Sequence, residues 1–110
     1  MYEEIDATTP TELLSAIEDC EDVTVLDVRQ PHEFERDHIE SDCADVVNRP
    51  LRHLQALDPR DVLDDVDTDH VVTVCNSGNR SAVATRLLNR SGIEAKNLQY
   101  GMQGWNQVAR

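Results

Sequence analysis

Two nearly unbroken β-branched runs constrain this chain more than anything else in it: Val23-Thr24-Val25-Leu26-Asp27-Val28 and Val71-Val72-Thr73-Val74-Cys75. Neither alternates apolar with polar residues, so each suits a strand buried on both faces, as in a parallel sheet. Helical stretches separate and follow them. Thr9-Pro10-Thr11-Glu12 supplies an N-cap, a proline at the first helical position and a glutamate three residues after the cap. Leu13, Leu14 and Ile17 continue it as an apolar face to about Cys20. Pro31 opens a short helix to about Arg36; residues 44–48 read as a strand closed by Pro50; Leu51, Leu54 and Leu57 mark another short helix. A longer helix over about 80–90 has Val83, Ala84, Leu87 and Leu88 as its inner face and Gly92 as its stop. Residues 95–99 form a last strand, and residues 102–109 a helix anchored by Trp105. The expectation is one α/β domain over residues 1–110, a central mostly parallel sheet with helices on both faces.

Charge narrows the function. The 110 residues carry a formal charge of -12, and Lys96 is the single lysine among ten basic residues. Such a chain repels phosphate backbones and anionic lipid, which argues against nucleic acid and membrane surfaces as partners. No apolar run approaches the roughly 20 residues of a membrane span, and Met1-Tyr2-Glu3-Glu4 lacks the layout of a signal peptide. A cytoplasmic protein is expected. Asp58, Asp61, Asp64, Asp65, Asp67 and Asp69 form a dense patch around Pro59, without the spacing of a calcium loop, and read as a solvated helix and loop. Many carboxylates with one lysine suit a folded protein working in concentrated salt, as in a halophile, where self-repulsion is screened.

Cys20, Cys43 and Cys75 make no even disulfide framework and no C-x-x-C pair, so three reduced thiols are expected. Cys75 stands apart. It ends a strand, and Asn76-Ser77-Gly78-Asn79-Arg80 leads directly into a helix. Ligands gather at the carboxyl ends of parallel strands. A loop entering a helix there aims several backbone N–H groups into one concavity, which favours thiolate over thiol. Gly78 permits a positive φ, and Arg80 adds a fixed positive charge. A buried, inert cysteine is the plainer alternative.

The segment Cys75-Asn76-Ser77-Gly78-Asn79-Arg80-Ser81 resembles the active-site loop of the rhodanese family, C-x-x-G-x-R-S. Three further segments resemble that family in the same order: Leu26-Asp27-Val28-Arg29 with Glu33-Phe34, then His38-Ile39, then Tyr100-Gly101-Met102-Gln103-Gly104-Trp105. The resemblance implies a rhodanese-like fold and a sulfurtransferase in which Cys75 is the catalytic nucleophile and carries sulfane sulfur as a persulfide. Asn76, Ser77, Gly78, Asn79 and Arg80 would bind the donor or the persulfide, with Asp27, Arg29 and Ser81 in support. Neither a metal nor an organic cofactor is implied, because the covalent intermediate holds the sulfur. The partners implied are a small sulfur donor such as thiosulfate, or a protein persulfide, and a thiol or cyanide-like acceptor.

Related phosphatases and arsenate reductases use C-x5-R; this chain has C-x4-R, six residues from Cys75 to Arg80, which argues for sulfur. A sulfur-relay or regulatory protein-binding module is the other reading. The sequence departs from the family at Asn76, where thiosulfate-using relatives carry arginine, at Asp37 before His38, in Glu40-Ser41-Asp42-Cys43, and at Tyr100 in place of a glycine.

Other residues admit two readings. Asp27 and Arg29 either brace the loop or form structural pairs, such as Arg29 with Glu33. His32, His38, His53 and His70 lack the spacing of a general base, and His38 reads as local support. Cys43 is either a resolving thiol or inert, and Cys20 reads as packing.

Overall fold

The computed structural model describes residues 4–109. The two β-branched runs become β2 (Thr24–Asp27) and β4 (Val71–Val74), and all eight of their residues are buried. They pair in parallel at the centre of the sheet, Thr24 opposite Val71 and Asp27 opposite Val74. β3 (Asp45–Asn48) lies outside β2, β5 (Ala95–Leu98) outside β4, and β1 (Asp6–Thr8) at the far edge, giving the order β1-β5-β4-β2-β3. Every pairing is parallel.

Because side chains alternate across a strand, each central strand feeds two cores. Leu26, Val28, Val71 and Ala95 face one side, against Leu54 of α3 (Leu51–Ala56), Leu63 after α4 (Pro59–Val62), and Ala84 and Leu88 of α5 (Asn79–Arg90). Val25, Val72, Val74 and Leu98 face the other, against Leu13 of α1 (Pro10–Glu18) and Met102 and Trp105 of α6 (Gly101–Val108). Each buried valine, leucine or methionine among them contributes about 1.5–3 kcal/mol of transfer free energy. The expected α/β architecture, with helices on both faces of a parallel sheet, is the one found. Trp105 lies in the core, as its spacing implied.

Local signals explain the helix starts. Thr9 and Glu12 form the anticipated reciprocal cap of α1, with bonds of 3.0 and 3.1 Å. α2 (Pro31–Arg36) begins on its proline, with Gln30 as N-cap. α5 ends at Gly92, whose φ is 85°, and the next amide, of Ile93, returns to the Leu88 carbonyl.

Three expectations are corrected. β1 was not anticipated: three residues with Asp6 at the start give no apolar pattern, and the strand exists through its register with β5, Asp6 opposite Lys96. Val83 does not belong to the inner face of α5; it is exposed, and Ser81 and Thr85 are buried instead. Their hydroxyls answer polar groups inside, Thr85 Oγ1 lying 2.8 Å from Thr73 Oγ1, so an apolar-only face was the wrong template.

The third correction concerns the cysteines. Cys20 and Cys43 are joined in a disulfide, with Cα atoms 5.3 Å apart, and Cys75 is the free thiol. Cys20 follows α1 and Cys43 precedes β3, so the bridge ties two loops at the amino-terminal edge of the sheet. The Ser41 hydroxyl accepts from the amides of Cys43 (3.1 Å) and Ala44 (2.9 Å), curling the segment that presents Cys43. The expectation of three reduced thiols fails, and Cys43 is no resolving partner for Cys75. No helix among the described residues is long and apolar enough to cross a membrane.

Candidate active site

β4 delivers Cys75 to the carboxyl edge of the sheet, where the residue is fully covered. The chain then turns through exposed Asn76 and Ser77 to buried Gly78 and enters α5 at Asn79. Gly78 has φ 104°, the left-handed conformation for which its glycine was singled out. That turn aims the Gly78 amide at Cys75 Sγ, 3.0 Å away, while the Ser81 hydroxyl reaches the same sulfur at 3.3 Å. Burial pushes the Cys75 thiol up, but the Ser81 hydroxyl and the amides of Ser81, Gly78 and Ser77 together outweigh it and hold the thiol below its ordinary range.

Two groups outside the loop hold it. Asn97, on β5, accepts the Ser81 hydroxyl on Oδ1 and donates from Nδ2 to the Gly78 carbonyl at 3.2 Å. From below, the amide of Met102 donates to the Cys75 carbonyl (2.8 Å) and that of Gln103 to the Asn76 carbonyl (3.1 Å). These amides belong to the first turn of α6 and have no partner within their own helix. Gly101 makes the approach feasible, since a Cβ there would sit against the carbonyl oxygen of Cys75 and the backbone of Asn76. Tyr100, which replaces the family's glycine, adopts a left-handed φ of 64°.

Asp27 and Arg29 are buried beside this loop and bind each other. Arg29 Nη2 lies 2.7 Å from Asp27 Oδ2, and it also donates to the Asp37 carbonyl at 2.6 Å. The Val28 amide between them donates to the Val74 carbonyl at 2.9 Å, tying their turn to the residue before Cys75. Asn48 Nδ2 fixes the same turn through the carbonyls of Asp27 and Arg29, both at 3.0 Å. The pair therefore braces the corner. The alternative pairing of Arg29 with Glu33 is not the one formed.

Glu33 instead takes Arg80. Arg80 Nη1 and Nη2 donate to its two carboxylate oxygens at 2.8 and 3.0 Å, and the Gln30 amide adds a third bond at 2.8 Å. With the Arg80 guanidinium beside it, the Glu33 carboxyl is lowered to about 2. Arg80 brings the expected fixed positive charge to the loop, and it does so as half of an ion pair. His38 is local support, its Nδ1 donating to the Phe34 carbonyl at 2.7 Å while its ring stacks on Phe34.

Residue reasoning missed Asn97 and the partner of Arg80. The available sign for Asn97 was its place two residues after Ala95, on the same buried face of the strand and opposite exposed Lys96. For Glu33 the charge was visible, and its partner, 47 residues away, was not.

Comparison with known proteins agrees with this geometry. The Rhodanese-like domain family matches residues 9–108. The Arabidopsis thaliana protein named rhodanese-like domain-containing protein 17 is 32% identical over 98 residues, covering 74% of this chain and 57% of that protein. YrkF of Bacillus subtilis, named as a candidate sulfur carrier protein, is 29% identical over 90 residues, covering 81% of this chain and 44% of that protein. The chain thus spans about half the length of these curated relatives. A rhodanese-related protein from Thermoplasma volcanium superposes with a TM-score of 0.74 at 26% identity, over 93% of this chain and 91% of that one. An NAD-dependent persulfide reductase from A. fulgidus gives 0.67 at 33% identity, over 92% of this chain and 16% of that one. The chain belongs to the rhodanese-like domain family.

Proposed function

We propose that this rhodanese-like domain is a sulfur carrier and transferase whose working atom is Cys75 Sγ. Family membership supports sulfur transfer or relay in general, and one observation carries the specific reading. The free thiol of the described residues sits at the head of a C-x4-R loop, with a loop amide at 3.0 Å and a helix-start hydroxyl at 3.3 Å from its sulfur. A thiolate held this way needs no separate base.

In the first half-reaction the Cys75 thiolate attacks the sulfane sulfur of a donor. A new S–S bond forms on Sγ, the donor's bond to that sulfur breaks, and its electron pair leaves with sulfite or a thiolate. In the second half-reaction an acceptor thiolate or cyanide attacks the outer sulfur, and Cys75 departs as the thiolate. The Gly78 amide and Ser81 hydroxyl are placed to stabilise the charge that forms on Sγ in that departure. Asn76, Ser77 and Asn79 would line the mouth through which the outer sulfur is exchanged. Asp27, Arg29, Asn97 and α6 would keep the loop in shape. A phosphatase reading has less support, because the cradle is one residue short and its arginine already holds a carboxylate.

A relay role, in which the acceptor is another protein, is favoured by one comparison. In the A. fulgidus persulfide reductase the matching domain is a small part of a larger chain. The test common to both roles is intact mass after incubation with thiosulfate or a persulfide donor. A reducible gain of one sulfur, absent in Cys75→Ser, is expected; no adduct from any donor would overturn the proposal.

A further inference from the structure

We infer that Glu33 is a specificity-determining residue: by holding Arg80 it makes the Cys75 cradle electrically neutral and selects sulfane sulfur carried on an organic or protein thiol, R–S–SH, over dianionic thiosulfate. The inference rests on the sulfur-carrier reading and adds the donor class to it.

Arg80 is the single charged residue from Cys75 to Ser81. It is also the residue through which such a loop would attract an anion, because a guanidinium fork matches oxyanion geometry. Here both arms of that fork are bonded to Glu33, and the Gln30 amide fixes the carboxylate from behind. Glu33 is a first-turn residue of α2, so the carboxylate is anchored on a helix start. The neighbouring Arg29 is buried and bound to Asp27, so it offers no substitute. What the cradle presents to a donor is amide dipoles, hydroxyls and carboxamides with no net charge. A thiosulfate dianion approaching the thiolate would meet like charge with no free cation to offset it. A hydropersulfide brings one charge fewer as its anion, and none in the protonated form whose outer sulfur the thiolate attacks. The Cys75 thiolate attacks its outer sulfur, an S–S bond forms on Sγ as the donor's S–S bond breaks, and the leaving thiolate R–S⁻ takes the proton released from the outer sulfur. No oxidant or reductant enters.

The test is a donor series of falling charge: thiosulfate, a benzenethiosulfonate monoanion, and 2-hydroxyethyl hydropersulfide, the last neutral in the protonated form that reacts. kcat/KM for sulfur delivery to cyanide is measured at low ionic strength in the native chain, in Glu33→Gln, and in Glu18→Gln. The last removes the same charge from an exposed site on α1, away from the loop. The native chain is expected to favour the hydropersulfide. Glu33→Gln keeps the acceptor that a helix start needs and should raise the thiosulfate-to-hydropersulfide ratio about fivefold or more, an effect that shrinks in 1 M salt. Glu18→Gln should leave the ratio unchanged. Thiosulfate outrunning the hydropersulfide in the native chain would overturn the inference whether or not the Glu33 variant folds. So would a ratio that does not move in Glu33→Gln, or that moves equally in Glu18→Gln. Failure of every donor to sulfurate Cys75 would remove the sulfur-carrier reading itself, and this inference with it.

Discussion

The carboxamide of Asn97 and the hydroxyl of Ser81 meet in a hydrogen bond beneath the Cys75 loop, and that hydroxyl also faces Cys75 Sγ. A hydroxyl has one hydrogen to give. With a neutral sulfur, thiol or persulfide, it rests on Asn97 Oδ1; when negative charge gathers on Sγ, the sulfur becomes the stronger acceptor. Removing the hydroxyl should therefore cost the thiolate a charge-assisted hydrogen bond, and Ser81→Ala should shift the midpoint of Cys75 alkylation upward by about one pH unit. Asn97→Asp should move it the same way, by placing a second negative charge beside the sulfur and losing the donor to Gly78. Iodoacetamide rates against pH read both variants; midpoints identical to the native protein would contradict the assignment.

The Glu33 carboxyl, lowered to about 2 by Arg80, links this ion pair to acid stability. A carboxyl depressed on folding stabilises the native state above its unfolded value and loses that contribution as pH falls through the folded one. The window here runs from about pH 4.3 down to about pH 2. The pair is partly exposed, so its contribution is about 1 kcal/mol. Urea unfolding from pH 6 to pH 2 should show that increment vanish, and Glu33→Gln should flatten the curve across the window.

Reducing the Cys20–Cys43 bridge releases a loop with a sequence separation of 23 residues. The chain-entropy relation gives a loss of about 3 kcal/mol. Urea midpoints with and without a reductant, in a Cys75→Ser background, measure it directly. An unchanged midpoint would mean that the bridge constrains nothing.

Gly101 and Tyr100 should respond in opposite directions. Gly101→Ala places a Cβ against the Cys75 carbonyl and should cost about 3 kcal/mol, with loss of the thiol's reactivity. Tyr100→Gly relieves a left-handed residue and should gain up to about 1 kcal/mol. Thermal melts of the two variants separate these effects.

Salt should stabilise the fold. The formal charge of -12 is accompanied by a local concentration: Asp22, Asp67 and Asp69 bring carboxylate oxygens within 4.8 Å of one another on the surface. Screening removes that repulsion, since the Debye length falls from about 10 Å at 0.1 M to about 3 Å at 1 M. Melting temperature should rise between those concentrations of sodium chloride. A flat response would sever the acidic composition from any adaptation to salt.

What was legible in the sequence was whatever repeats locally. β2 and β4 announced themselves by continuous β-branched residues, α1 by its cap, and α5 by its glycine stop. Cys75 was legible because strand, glycine, arginine and helix start are adjacent in the chain. What was not legible depends on segments meeting across the fold. β1 is a strand only beside Lys96 and Leu98. Arg80 and Glu33 are two charges among many until the loop and α2 lie side by side. Cys20 and Cys43 gave no parity signal, because the third cysteine stays free and makes the count odd. Val83 was misplaced for the converse reason: apolar periodicity gives no weight to buried hydroxyls, and Ser81 and Thr85 turn inward to bond Asn97 and Thr73.

The amides that hold the Cys75 and Asn76 carbonyls come from α6, the last element in chain order among the described residues. During synthesis, Cys75 leaves the ribosome some 25 residues ahead of that helix, at roughly 5–20 residues per second. For those seconds the loop lacks the two α6 hydrogen bonds that hold the Cys75 and Asn76 carbonyls. On the proposed function, the sulfur chemistry of Cys75 is therefore expected to begin only once α6 has docked against the loop.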